Sequence, residues 1–430
     1  MRRIRALAAA SLVLVVALAC TKRNPAYCLA NSDCASGRCD VPVRQCINPS
    51  DGSMDAASDT ADARDASDAS DAAPKCTAST QCADGGVDSG GPVCEVEAGL
   101  CVECVADGDC AARNKATPIC QAHVCRACET DAECPDPNIC MTDGHCATGD
   151  EVIFVESVAS GCPNPDGTSG KPYCMLSDAV PKLRADRNII VIRGALSDRL
   201  TLGTTGFSPV VIGRRSSSNE AASIPAVNMT AITVTSDNVL IRDLLVNAGT
   251  STASKGIVVS GSSTALKLFN VQVSLTTDGL GVQASAGAQL TMDRCIVTNN
   301  PVGGLLINGA GYDIQNSIFG SNAYGVQFSA PKALGTFRFN TVVGTVAALC
   351  DLSNPETLSD SIVVGPSPNC ILERCVTTMP TFSSSRPFHL TGKLACPTTD
   401  AAAPPASPDH DVDGDPRTPP IDCGADQFVQ

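Results

Sequence analysis

The chain has no tryptophan, only four tyrosines and ten phenylalanines, and four histidines in 430 residues. Sugar sites commonly stack their ligand on aromatic rings, and globular cores draw much of their buried area from them, so both need another source here. Basic residues are also short: 30 Lys and Arg stand against 45 Asp and Glu, a formal charge of −15. Holding a polyanion requires clustered Lys and Arg, which argues against nucleic acid as a partner. The apolar run at residues 6–19 is 14 residues long, too short to span a bilayer.

What the chain has in abundance is cysteine, 25 in all. Sixteen of them fall into four groups: Cys28/Cys34/Cys39/Cys46, Cys76/Cys82/Cys94/Cys101, Cys104/Cys110/Cys120/Cys125 and Cys128/Cys134/Cys140/Cys146. Each group opens with C-x5-C and closes with C-x4-C, C-x5-C or C-x6-C. Units this small cannot bury a sufficient core, and disulfides worth about 2–4 kcal/mol each can replace one. Four cysteines per group leave three pairings open. Cys101-x2-Cys104 and Cys125-x2-Cys128 also have zinc-ribbon spacing, but each straddles a boundary between groups, and an exported chain oxidises its thiols. Ser79, Asp107 and Asp131 stand three residues after the first cysteine of their groups, as Asn31 does, and read as turn or N-cap residues.

Residues 1–19 read as an export signal: Arg2, Arg3 and Arg5, the apolar run, then Ala17-Leu18-Ala19. Cys20 follows directly and resembles the lipidated cysteine of a bacterial lipobox, so Cys20 is the expected acylation site and the membrane the expected first partner. Thr21 after the cysteine resembles the outer-membrane sorting pattern of Gram-negative lipoproteins. With Cys20 set aside, 24 cysteines remain, an even number. Residues 20–27 form a tether and 28–46 the first cysteine module. Residues 47–75 form an acidic Asp/Ala/Ser linker with no apolar face, read as disordered and self-repelling. Residues 76–147 hold the other three modules.

From residue 151 β-branched residues dominate and a longer repeat begins. VLIRDLLVN (239–247), LKLFNVQVS (266–274), LTMDRCIVT (290–298), YDIQNSIFG (312–320), TFRFNTVVG (336–344) and ETLSDSIVV (356–364) align without gaps, 20 to 27 residues apart. Their fifth position reads Asp243, Asn270, Arg294, Asn316, Asn340, Asp360, a corner where left-handed backbone is tolerated. GIVVS (256–260), GVQAS (281–285), GLLIN (304–308) and GVQFS (325–329) recur between the copies. This period, with two or more strands per turn, predicts a solenoid of six or seven coils over 151–399, with 400–430 as a C-terminal cap.

The Asn-corner repeats resemble the right-handed parallel β-helix of the pectin-lyase-like superfamily. VIFVESVASGCPNPDGTSGKPYCMLSDAV (152–180) is similar to the opening of such bacterial domains, and HDVDGDPRTPPIDCGADQF (410–428) to their D-x-DG-x-x-R…D-x-GA-x-E/Q terminus. The resemblance implies a mainly β fold, a Cys162–Cys174 bridge, and a short helix around Leu176 capping the first coil. It implies little about activity, since this fold hosts many functions.

Enzymes of that fold act from the outer face of one sheet, with paired carboxylates in hydrolases or calcium and a basic residue in lyases. The outward positions expected here, Arg242, Lys267, Asp293, Asp313 and Gln315, are scattered, and Asp293 with Arg294 is the nearest to a catalytic pair. Asp409, Asp411 and Asp413 begin a D-x-D-x-D-G calcium loop, but Pro420 stands where its bidentate acid belongs. Of the remaining cysteines, Cys350, Cys370, Cys375, Cys396 and Cys423 are expected to staple the last coils and tail, and Cys295 to be a buried thiol. The expected function is non-catalytic: a cell-surface lipoprotein displaying a β-helix for binding or adhesion on a disulfide-stapled stalk, toward a polysaccharide or surface protein. The alternatives are a carbohydrate-active enzyme and an envelope assembly component that binds a protein through its cysteine modules.

Overall fold

The computed structural model describes residues 39–40, 45–46, 76–79, 82 and 92–426, less short gaps at 158–160, 217–218, 227–228, 236, 249–254, 276–278, 331–334, 397–407 and 418–421. The chain divides into two units, Met1–Ala73 and Pro74–Gln430. In the first, Cys39–Asp40 pairs antiparallel with Gln45–Cys46. The export signal, Cys20, Cys28, Cys34 and the acidic linker lie outside the described residues.

The second unit opens with three cysteine modules of one design. The first cysteine bonds the third and the second bonds the fourth: Cys76–Cys94 and Cys82–Cys101, Cys104–Cys120 and Cys110–Cys125, Cys128–Cys140 and Cys134–Cys146. The third and fourth cysteines face each other across a small antiparallel ribbon, as Cys94 does Cys101 and Cys120 does Cys125. The residue three after the first cysteine has a shared role that local turn chemistry does not capture. Ser79 Oγ, Asp107 Oδ1 and Asp131 Oδ1 accept the backbone N–H of the third cysteine at 3.1, 2.7 and 2.7 Å. With every sulfur of these three modules in a disulfide, none is a thiolate free to ligate zinc.

The rest is a parallel β-helix. A ten-stranded sheet takes one strand per turn, in chain order from Val152–Glu156 and Ile189–Arg193 to Thr357–Ser359 and Ile371–Glu373. Two further strand stacks complete the cross-section, for example Leu245–Ala248 and Lys255–Ser260 in the turn begun by Asn238–Arg242. At Ile318–Ser329 and Thr341–Leu349 one long strand rounds the corner and serves both stacks. Among the described residues six turns carry all three strands, and one turn at each end carries two, Ile189–Arg193 with Leu200–Leu202 and Thr357–Ser359 with Ile362–Val364. Inside, side chains stack in rows: Ile241, Leu268, Met292, Ile314 and Phe337 lie register on register and each is at most 1% exposed. Aliphatic rows of this kind form the core that the scarcity of aromatics demanded.

The register corrects one repeat. Phe337 pairs with Ile314 and Val342 with Phe319, so the fifth copy begins at residue 335 and its corner is Phe339, not Asn340. A one-residue slip would turn Phe337 outward and Arg338 into the core. The corners are left-handed throughout: Asp243, Asn270, Arg294, Asn316, Phe339, Asp360 and a seventh, Arg374, have φ between 48° and 59°. Asn340 falls one position later, in a buried row with Cys295, Ser317 and Ser361. There Ser317 Oγ accepts the amide of Cys295, Asn340 Oδ1 that of Ser317, and Ser361 Oγ that of Asn340, at 3.2, 2.9 and 3.1 Å.

The glycines opening the third strand also form a row. A Cβ on Gly256, Gly281, Gly304 or Gly325 would lie 2.4–2.6 Å from the carbonyl oxygen of the next coil. Both ends of the helix are closed. At the start, residues 166–173 add hydrogen bonds to the edge of Val152–Glu156, the helix Leu176–Ala179 buries Leu176 and Ala179, and Cys162 bonds Cys174. At the end, Cys350–Cys370 and Cys396–Cys423 staple the last coils and the tail, while Cys375, expected to join them, is a free thiol like Cys295.

Candidate functional site

The fourth cysteine module is docked on the outer face of the ten-stranded sheet. Ile139, Ala147 and Met141 pack on the outward side chains Val152, Phe154, Val191, Ile212 and Leu240. Beside this apolar contact Asp131 receives both arms of Arg242, at 2.9 Å to each carboxylate oxygen, and also pairs with Arg214. Burial works to raise the Asp131 pKa, but the bonds from Arg242, the Cys140 amide and Arg214 outweigh it and hold the carboxyl below its usual range. Arg242 further bonds Asp243 at 3.0 Å and the Cys140 carbonyl at 3.2 Å. Arg242, expected from sequence only as an outward strand position, is therefore half of a docking clamp.

Past the clamp, module and sheet diverge and leave an open groove of about 920 Å³. Its floor has two outward rows. One runs Lys267, Thr291, Asp313, the other Phe269, Asp293, Gln315. Thr142 and Asp143 of the module line the facing wall.

The structure separates the candidate pair Asp293 and Arg294. Asp293 lies in the groove, and its Oδ1 accepts from the side-chain Nδ2 of Asn316 at 3.0 Å. Arg294 occupies a left-handed corner, covers the Phe269 ring, and donates to the carbonyls of Asp413 and Val412 in the tail at 3.0 and 3.5 Å. In its place the fold puts Asp313 on the strand next to Asp293, two residues out of register. Strand geometry sets such diagonal Cα atoms about 8 Å apart. Sequence spacing alone does not show this juxtaposition, because it depends on the coil length between the two.

In the tail, Asp411 Oδ1 accepts the amides of Asp413 and Asp415, both at 2.9 Å, and the Asp409 carbonyl accepts the Arg417 amide. Carboxylates of Asp411, Asp413 and Asp415 gather within 4.8 Å of one another, and Asp409 is not among them. The conspicuous residue of the terminal motif is Arg417. It is 8% exposed, bonds the carbonyls of His410, Asp422, Gly424 and Ala425 and the Asn316 side chain, and stacks on Phe339. The motif is thus a lock that seats the tail on the corner row.

No protein-family profile and no curated protein matches this chain. Among solved structures it is similar to pectin methylesterase PemA from Erwinia chrysanthemi, with a TM-score of 0.32 and 11% identity over 56% of this chain and 93% of that one. The assignment of a parallel β-helix rests on the strand order and register described above. The many disulfides suit an exported protein, and no helix among the described residues is long and apolar enough to cross a membrane.

Proposed function

We propose that this chain is an exported lipoprotein, acylated at Cys20, that presents its β-helix at the outer membrane surface as a non-catalytic binding or structural element. The groove beside the fourth module is its contact surface, and the ligand class is an extended polysaccharide or a surface protein. The supporting observation is how the charges at and beside the groove are engaged. Asp131 is held by Arg214 and Arg242, Asp293 by Asn316, and Arg294 by the tail, so Asp293 and Arg294, the nearest to a catalytic pair in the sequence, already serve structural partners. A panel of acidic and neutral polysaccharides, with and without calcium, tests this: retention without turnover is expected, and release of reducing or unsaturated ends would overturn it. Cys20→Ser is expected to move the protein from the membrane to the soluble fraction.

A hydrolase is the second reading, favoured by the Asp293–Asp313 diagonal. Two aspartates leaving one sheet face from Cα positions about 8 Å apart can bring their carboxyl groups to the 6.5–9.5 Å separation of inverting glycosidases. If the panel shows hydrolysis, Asp293→Asn and Asp313→Asn separate the readings: each should abolish turnover while leaving ligand retention.

A further inference from the structure

A second cluster, away from the groove, has the makings of a metal centre. His389 is 8% exposed. Its Nδ1 lies 3.0 Å from Asp413 Oδ2 and 3.5 Å from Asp426 Oδ1, ion-pair distances for a protonated ring, yet neither contact has the geometry of a hydrogen bond to that nitrogen. At such short separations this means that neither oxygen is in line with the ring nitrogen's bonding direction. Each carboxylate is fixed through its other oxygen: Asp413 Oδ1 by Arg386, Asp426 Oδ2 by the Leu390 amide at 2.5 Å. One oxygen of each is thereby turned toward the imidazole and the other is tied down, which is how outer partners orient metal ligands.

The spacing suits a first-row transition ion. With metal–ligand bonds of about 2.1 Å, donor pairs 3.0 and 3.5 Å apart subtend about 90° and 110° at the ion. One imidazole and two carboxylates match the ligand preference of zinc and its neighbours, whereas calcium takes oxygen. We infer that His389, Asp413 and Asp426 form a binding site for a divalent transition-metal ion of the zinc type, which fastens the loop carrying His389 to the two halves of the C-terminal tail.

The position gives the ion a purpose. Val412 and Ala425, each one residue from a ligand, pack with Phe388 on Ile296 and Ile318 of the β-helix. An ion shared by residues 389, 413 and 426 would add one tie among three segments that already touch, Val412 bonding Ala425 and Leu394 bonding Asp422 and Cys423, three residues past the Cys396–Cys423 staple.

The test uses the full oxidised chain, stripped with chelator and titrated with Zn²⁺ alone by calorimetry, then with Co²⁺ by visible absorption. One equivalent of Zn²⁺ is expected, with a raised melting temperature. Asp426→Asn and His389→Gln should each weaken it by at least about 100-fold, since changes even in outer partners cost 10–100-fold. Co²⁺ should give d–d bands that Zn²⁺ displaces and Ca²⁺ does not. Melting of the metal-free variants checks their folding, and Asp186→Asn, in an exposed pair with Arg184 at the start of the β-helix, should bind as the parent does. No stoichiometric binding by the parent, equal binding in both variants, or displacement by Ca²⁺ would each overturn the assignment.

Discussion

Removing the Asp131 carboxylate should undock the fourth module without unfolding it. Its two disulfides hold the module, while its seat on the β-helix depends on the clamp and the apolar patch. Asp131 and Arg242 side chains are only 20% and 14% exposed, so this is not a surface pair of about 0–1 kcal/mol. Cutting one partner from a fully buried pair costs about 3–5 kcal/mol. With the residual exposure we expect about 2–3 kcal/mol for Asp131→Ala and roughly half that for Asp131→Asn, which can still accept the Cys140 amide. The apolar patch offers a scale, since Ile139→Ala should cost about 2–4 kcal/mol. With no tryptophan in the chain, the readout is hydrogen exchange: protection in residues 128–147 should fall by a factor matching the lost energy while the ten-stranded sheet keeps its own. A cycle with Arg242→Ala should return a coupling of about 1–2 kcal/mol. The pH dependence has a definite sign. A carboxylate depressed below its ordinary 3.8 contributes stability above that value and loses it as pH falls through the depressed one. Docking should therefore be complete at neutral pH and weaken only below about pH 4. A coupling under about 0.3 kcal/mol, the limit of ordinary additivity, would refute the clamp.

Other expectations follow from single features. Gly281→Ala should destabilise the helix by about 2 kcal/mol or more in thermal melts, because its Cβ would meet the Gly304 carbonyl at 2.6 Å, where overpacking has no outlet. A neutral effect would show that the glycine row is not close-packed. Arg417→Lys should release the tail nearly as fully as Arg417→Ala, because lysine lacks the planar fork that reaches five acceptors. Limited proteolysis within 397–421 measures it, and unchanged cleavage would count against the lock. Burial pushes the Cys295 thiol to about 12 and the Cys375 thiol to about 11, so a maleimide at pH 8 should label both slowly in the native state and rapidly in denaturant. Fast native labelling would contradict the full burial of Cys295 and the partial burial of Cys375.

The solenoid was legible because its rule is local. Apolar alternation with a corner residue every 20 to 27 residues specifies which side chains face inward, and the observed rows follow it. The rule failed where two cues conflicted. In the fifth copy the eye prefers Asn340 at the corner, yet burying Phe337 outweighs the strain of placing Phe339 in left-handed backbone. The Asn300–Asn322 pair, which caps the Leu275 amide and bonds along the axis at a second corner, carries no repeat signature because the loop lengths around it vary. The docking of the fourth module was hidden for another reason. Asp131 serves its own module through the Cys140 amide, a role it shares with Ser79 and Asp107, and nothing local marks its second role toward residues 83 and 111 positions away.

That docking sets the fourth module apart from the others. If the cysteine modules were only a spacer, deleting residues 28–126 and deleting 28–146 would have the same effect on ligand capture. The structure makes them unequal. Deleting 28–126 leaves the groove, whereas the longer deletion removes its module wall, frees Arg214 and Arg242, and exposes the apolar patch around Phe154, Ile212 and Leu240. A ligand held in the groove should therefore survive the first deletion with affinity within about threefold, the spread left by additive, distant changes, and be lost in the second. Capture lost in both would move recognition to the earlier modules and favour the assembly reading. Capture kept in both would move it off the groove, to the third strand stack, where Val258, Gln283, Leu306 and Gln327 form the outward row.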